Sequence, residues 1–183
     1  MESPRILIQL DSDQHPSVFD AVVAIDSQVD QLLQYGEVEA TNARQLVHGA
    51  MFTRAPAQLK NTAIFVGGSS VSVGEAIGEE IKQSFFGPVR VSVMLDGNGA
   101  NTTAAAAVLC AARHLSLEQV NALVLGGTGP VGQRVARLLL GQGAHVALAS
   151  RDAARASDVC DRITQKMGKH NRGKLTPQGL ADL

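Results

Sequence analysis

The chain has 183 residues, 45% of them hydrophobic, which is enough for one full-sized domain or two small ones with real cores and excludes a disordered chain. A formal net charge of -1, with the basic residues scattered, leaves no footprint for gripping a nucleic-acid backbone or an anionic membrane surface, so neither is expected as a partner. The first apolar run is too short for a signal peptide and no later one approaches the roughly 18 residues of a membrane span, so a cytoplasmic location is expected.

Short β-like apolar runs alternate with amphipathic stretches along the chain, the pattern of an α/β fold with a mostly parallel sheet. The first strand is predicted over residues 5–10 and the first helix over 16–27, with Pro16 in a first turn where its missing N–H costs nothing. Val18, Val22 and Ile25 are expected at the centre of that helix's buried arc, which leaves Asp20 well off it. A strand over 31–35, a weaker helix around 41–52 and a strand over 62–66 follow. In the next helix, 71–85, Val73, Ile77, Ile81 and Phe85 recur every four residues as one buried stripe. A strand over 89–95 and an alanine-rich helix over 102–114, with Asn101 or Thr102 as its N-cap, complete a first set of four β/α repeats. The join at 114–119 divides the chain into an N-terminal α/β domain, 1–117, and a dinucleotide-binding unit, 118–183. The second unit holds strands at 122–125 and 145–149 and helices at 131–142 and about 153–166. Its sheet is expected to be cut short, with the edge near Leu148 lacking a strand unless residues 174–176 or another chain supply one.

The strongest local signal is Gly127, Gly129 and Gly132, a G-x-G-x-x-G placed directly after an apolar strand and opening a helix. In such a loop the first glycine permits a tight turn, the second admits a pyrophosphate to the backbone, and the third lets helix and strand pack closely. The helix N-terminus adds unpaired N–H groups and partial positive charge. After the following strand, where an NAD-binding fold usually offers an acid to the ribose, stand Ser150 and Arg151. A hydroxyl and a guanidinium suit a 2′-phosphate, so NADP is the expected cofactor. The alternative is that Arg151 merely starts the next helix and Asp152 takes the ribose.

Ligands of open α/β sheets collect beyond the carboxyl ends of the strands. There the first domain carries Asp11-Ser12-Asp13, Gly67-Gly68-Ser69-Ser70 and the run from Asp96 to Thr103. Each alone is ordinary turn and capping chemistry, whereas three on one edge suggest a cleft. Cys110 and Cys160 lack metal-ligand spacing, so no metal is expected and both read as reduced thiols. The only tyrosine, Tyr35, is followed four residues on by Glu39, which disfavours a short-chain dehydrogenase, and two separated cysteines disfavour a zinc-dependent one.

The stretches 11–20, 63–68, 85–104 and 126–132 resemble, in the same order, the NADP-dependent methylene-tetrahydromethanopterin and methylene-tetrahydrofolate dehydrogenases of one-carbon metabolism. The resemblance implies reversible hydride transfer from a methylene bridge on a reduced pterin, a tetrahydromethanopterin or tetrahydrofolate derivative, to NADP⁺. It also implies a pterin held between an N-terminal α/β domain and the NADP domain, and a homo-oligomer. By that likeness Thr128, Gly129, Pro130, Val131, Ser150 and Arg151 contact NADP, while Asp20, Asn98 and Thr102 line the pterin side. The product is a delocalised cation, which makes Asp20 the candidate catalytic carboxylate, stabilising positive charge as it develops. Because the family's later strands and a further lysine find no counterpart here, a catalytically silent NADP-binding or assembly module is the competing expectation.

Overall fold

The computed structural model describes residues 3–182. It divides into two compact units, 1–99 and 100–183.

The first unit runs β1 (Ile6–Leu10), α1 (Val18–Asp26), β2 (Gln31–Tyr35), α2 (Ala40–Phe52), a 3-10 turn (Pro56–Asn61), β3 (Thr62–Val66), α3 (Val71–Ser84) and β4 (Ser92–Leu95). Its parallel sheet has the order β2-β1-β3-β4, with Ile8 opposite both Leu33 and Ile64. Alternation along β1 and β3 sends Ile8, Leu10, Ile64 and Val66 into a core completed by Val47 and Met51 of α2 and Ile77 and Ile81 of α3. Val73 and Phe85 pack against that core from the ends of the stripe, as their spacing predicts. The order reverses between β1 and β3, so the loops leaving these two strands diverge and open a crevice at their carboxyl ends.

The second unit comprises α4 (Ala100–Ala112), β5 (Asn121–Val124), α5 (Pro130–Gly141), β6 (His145–Ser150), α6 (Ala153–Met167), a 3-10 turn (Gly168–His170), β7 (Lys174–Gly179) and a last turn (Leu180–Asp182). The strands are parallel in the order β5-β6-β7. Val146 and Leu148 meet Leu139 and Leu140 of α5 and Val159 and Ile163 of α6 in a second core. Two βαβ units stepping the same way put both helices on one face of the sheet. The fold is therefore α/β throughout, with parallel sheets and a Rossmann-type second unit.

Several expectations are corrected. Pro16 precedes the helix it was assigned to, because Ser17 is the N-cap of α1 and its hydroxyl accepts from the Asp20 N–H. The buried arc of α1 is inverted: Val18, Val22 and Ile25 are 76%, 54% and 54% exposed, Ala24 is buried and Asp20 is half-buried. Asn101 and Thr102 lie inside α4, not at its cap, because the helix begins at Ala100 behind a turn in which Asn98 and Gly99 take positive φ. Val89 is not in β4; it forms an antiparallel bridge with Phe86. Leu148 is fully buried and faces Pro177 of β7. The apolar side chains left open are instead on and after β5, where Leu123 and Leu125 are 48% and 65% exposed.

Candidate dinucleotide and substrate sites

The glycine loop is built by two close approaches. A side chain on Gly132 would meet the carbonyl oxygen of Gly126 and the backbone of Gly127 at 2.7 Å, and one on Gly127 would meet Leu148 Cγ at 2.5 Å. Glycine at both positions thus lets α5 start against β5 and β6. The positive φ belongs to the preceding Gly126, at 64°, which the spacing of the motif did not single out. Gly129 is the N-cap of α5, with ordinary extended angles, and Pro130 occupies the first helical position. The Gly129 N–H bonds to Gly126 O at 3.0 Å, and the Gln133 side chain donates to Thr128 O at 2.8 Å, which fixes the loop's tip. Val131 and Gly132 follow in the first turn of α5, where amides have no partner within the helix.

Thr128, Ser150 and Arg151 come together around a pocket of about 370 Å³ that Gly126, Asp152, Arg155 and Leu180 also line. Ser150 is buried and its hydroxyl accepts from the Asp152 N–H at 3.3 Å, so it forms the floor; Arg151 is exposed at the rim. Asp152 is the N-cap of α6, one carboxylate oxygen accepting from the Arg155 N–H at 3.2 Å. Its carboxylate is thus engaged in capping at the place where the alternative reading needs it for a ribose. Arg155 brings a second guanidinium to the pocket, a residue one helical turn on that inspection of strand ends alone passes over.

In the first unit, Asp20 and Asn98 line one pocket of about 360 Å³ together with Asp13, Ser17, Phe19, Gly68, Ser69 and Gly99. Thr102 does not line this pocket and belongs to the second unit. The pocket lies at the carboxyl ends of β1, β3 and β4. Asp13 ties two of the loops, accepting from the Ser69 N–H at 3.0 Å and the Ser69 hydroxyl at 2.8 Å. The fully buried Asp11 accepts from the Asp13 N–H at 2.9 Å and the Ser17 N–H at 3.0 Å, which seats the start of α1. Asn98, at φ 52°, donates its N–H to Gly68 O at 2.7 Å, so the β4 loop is pinned to the β3 loop by a left-handed residue. Burial raises the Asp20 carboxyl above its ordinary value; Ser17 pulls the other way, and the nearby charges of Asp11 and Asp96 push it up further. A half-buried carboxylate crowded by two others attracts positive charge.

Among the described residues no cluster of His, Cys, Asp or Glu is arranged to hold a metal, and no helix is long and apolar enough to cross a membrane. Cys110 is exposed, and burial pushes the Cys160 thiol up to about 11, with Asp161 adding to the shift, so Cys160 is an inert core group.

Residues 18–98 match the family model of the methylene-tetrahydromethanopterin dehydrogenase N-terminal region. The chain is 45% identical over 166 residues to the bifunctional protein MdtA of Methylorubrum extorquens, covering 90% of this chain and 58% of that protein. It is 31% identical over 170 residues to the NAD(P)-dependent methylenetetrahydromethanopterin dehydrogenase of the same organism, covering 89% and 57%. It therefore spans under three-fifths of the length of these curated relatives. A ligand-free 5-ketofructose reductase of Gluconobacter sp. strain CHM43 superposes with a TM-score of 0.55 at 14% identity, over 97% of this chain and 63% of that one, a likeness of fold alone. The chain is thus similar to the methylene-tetrahydromethanopterin dehydrogenases, through the family-model match over residues 18–98 and through relatives that align with about nine-tenths of its length.

Proposed function

We propose that this chain serves NADP-dependent oxidation of a methylene bridge on a reduced pterin to the methenyl form. The observation that carries the reading is the pair Arg151 and Arg155 over Ser150 and Thr128, at the strand end where an NAD-specific fold places an acid. NADP⁺ supplies the hydride acceptor. Gly127, Gly129 and Gly132 admit its pyrophosphate to the backbone, the Val131 and Gly132 amides at the start of α5 bond it, and the two guanidinium groups hold the 2′-phosphate. Hydride departure leaves a cation delocalised over two nitrogens and needs no base to remove a proton. The protein's task is alignment and charge stabilisation.

Asp20 is the group placed for the second task, with Asn98 beside it as a hydrogen-bonding contact to the pterin. Thr102, near the start of α4, is a further pterin contact in this proposal. Tetrahydromethanopterin is the carrier that the family model's description and the second relative's name favour, and a tetrahydrofolate derivative is the second candidate. A homo-oligomer belongs to the same proposal, supported by the outward apolar face of α1, where Phe19 is 76% exposed. Residues 1–117 serve as the pterin side, and residues 118–183 as the NADP side.

The test is NADP⁺ reduction by the purified protein on addition of methylene-tetrahydromethanopterin or methylene-tetrahydrofolate, followed by absorbance. Turnover is the expected result. Cofactor binding without turnover would favour the competing reading, a dinucleotide-binding or assembly module.

A further inference from the structure

Strand β3 is followed by two glycines, and the backbone accounts for only one of them. Gly68 has a φ of 95°, which disfavours any side chain, whereas Gly67 lies outside the left-handed region that calls for glycine. Gly67 is buried and its N–H donates to the carbonyl of Leu10 at 2.9 Å, so its place beside the end of β1 is fixed. What excludes a side chain is the company it would keep. A Cβ on Gly67 would stand 3.0 Å from Cε1 of Phe65, 3.2 Å from Oδ2 of Asp20 and 3.6 Å from Oδ2 of Asp11. The first two approaches are closer than carbon contacts normally come, so a neighbour would have to move. Phe65 is rooted in β3, whereas Asp20 lines the pocket of the first unit and has open space beside it. From the other side, α1 brings Asp20 to this gap. The fully buried Asp11 accepts from the Ser17 N–H at 3.0 Å, and the Ser17 hydroxyl accepts from the Asp20 N–H at 3.2 Å, which ties the first turn of α1 to the end of β1.

We propose that Gly67 is a positioning residue for the Asp20 carboxylate, an inference that rests on the role given to Asp20 above. Its bare Cα leaves the space in which the carboxylate lies against the ends of β1 and β3 instead of swinging out into the pocket. Two carboxylates from different elements, Asp20 of α1 and Asp11 after β1, border the room that one methyl group would fill. A charge that stabilises a developing cation works best when it is held in place beforehand, because a mobile one is solvated by water and must reorganise as the reaction proceeds. Gly67 supplies that fixity by omission, acting through Asp20.

The experiment follows NADP⁺ reduction by the full chain with methylene-tetrahydromethanopterin for wild type, Gly67→Ala, Asp20→Asn and the double variant. Gly67→Ala should lower kcat about tenfold or more with KM for NADP⁺ unchanged, since small misplacements of a reacting or stabilising group cost on this scale. In the Asp20→Asn background the same alanine should cost less than about twofold. A glycine that matters only for packing costs the same factor in both backgrounds; that result, or a Gly67→Ala kcat within about twofold of wild type, overturns the proposal. Wild-type kcat in Asp20→Asn removes the role given to Asp20 and this proposal with it, leaving the NADP reading intact. A second measurement needs no turnover: NMR of the Asp20 side-chain carboxyl through a pH titration. Burial raises its titration, Ser17 opposes, and the charges of Asp11 and Asp96 add to the rise; Asp13 lines the same pocket. In Gly67→Ala a carboxylate displaced into the pocket should titrate lower, toward an ordinary one, and an unchanged midpoint overturns the proposal. A wild-type chain without turnover removes the proposed reaction, and this titration alone then decides the placement of Asp20. If Gly67→Ala does not fold, its combination with Phe65→Leu, which relieves the ring contact and leaves the carboxylate one, takes its place in both measurements.

Discussion

Arg151 sits at the rim of its pocket with Arg155 one turn further along α6, so in the proposed reading the preference for a 2′-phosphate would be shared between two guanidinium groups. Arg151→Ala should shrink the margin by which NADPH binds more tightly than NADH by about 1–3 kcal/mol, the range for a lost charge-assisted contact. Comparing the two titrations before and after substitution checks it; equal wild-type affinities would remove the NADP assignment. At Gly129 a side chain would approach Gly126 O at 3.3 Å and the backbone angles suit any residue. Gly129→Val should therefore keep wild-type helix content by circular dichroism yet lose cofactor binding, because the new side chain occupies the pyrophosphate's approach. Asp20 makes a prediction in pH. Its carboxyl is raised in the folded state, so folding is favoured by its proton, and that contribution is lost as pH rises through the folded value. At neutral pH the ionised group carries a small cost, moderated by its openness to solvent. Asp20→Asn should melt at the same temperature as wild type or slightly higher at pH 7, and the gap should close toward about pH 3. A lower melting temperature at pH 7 would contradict the crowding by Asp11 and Asp96.

Among the helices, α3 illustrates what periodicity can tell, and α1 what it cannot. The four-residue stripe of α3 is legible because one face packs on β3 and β4 and the other meets solvent. In α1 the valines face outward, and the face that seats the helix is Ser17, Asp20 and Ala24, small or polar because the loop carboxylate of Asp11 anchors it there. Hydrophobic spacing assigns apolar residues to the nearest core and has no term for a surface left for something else to cover. The same limit applies to α4: its capping was assigned to Asn101 or Thr102 by residue type, whereas the chain turns with left-handed Asn98 and Gly99 and gives Asn101 to Arg134. The glycine loop was legible because sterics dictate glycine where backbones meet. Arg155 and Gly126 were not, since their place in the pocket depends on how the loop and α6 are oriented. An element-level test uses Gly49, inside α2, where an added methyl meets nothing within 4 Å. Gly49→Ala should raise unfolding free energy by about 0.5–1 kcal/mol in a denaturant titration, by helix propensity alone.

For the whole molecule, each of the two units has its own buried cluster, Ile8 to Val91 in one and Val108 to Ile163 in the other. The sequence suggested a second unit ordered only at its start, because two strands and a helix cannot cover a parallel sheet. The structure adds β7 as a full partner, with Leu175 beside Val146 and Gly179 beside Ser150, and seals β6 under Val159, Cys160 and Ile163. Protection from hydrogen exchange should therefore not fade at Asp152. The slowest amides of this unit should lie in β6, which is bonded on both sides, and slow exchange should continue into the buried turns of α6. Faster exchange is expected instead in β5, a four-residue edge strand with half-exposed Leu123. Native-state exchange read by mass spectrometry or NMR tests this directly. Protection that ends near Asp152 while β5 remains slow would mean that β7 does not pair in solution, and the unit would then be the incomplete sheet that its first strands suggest.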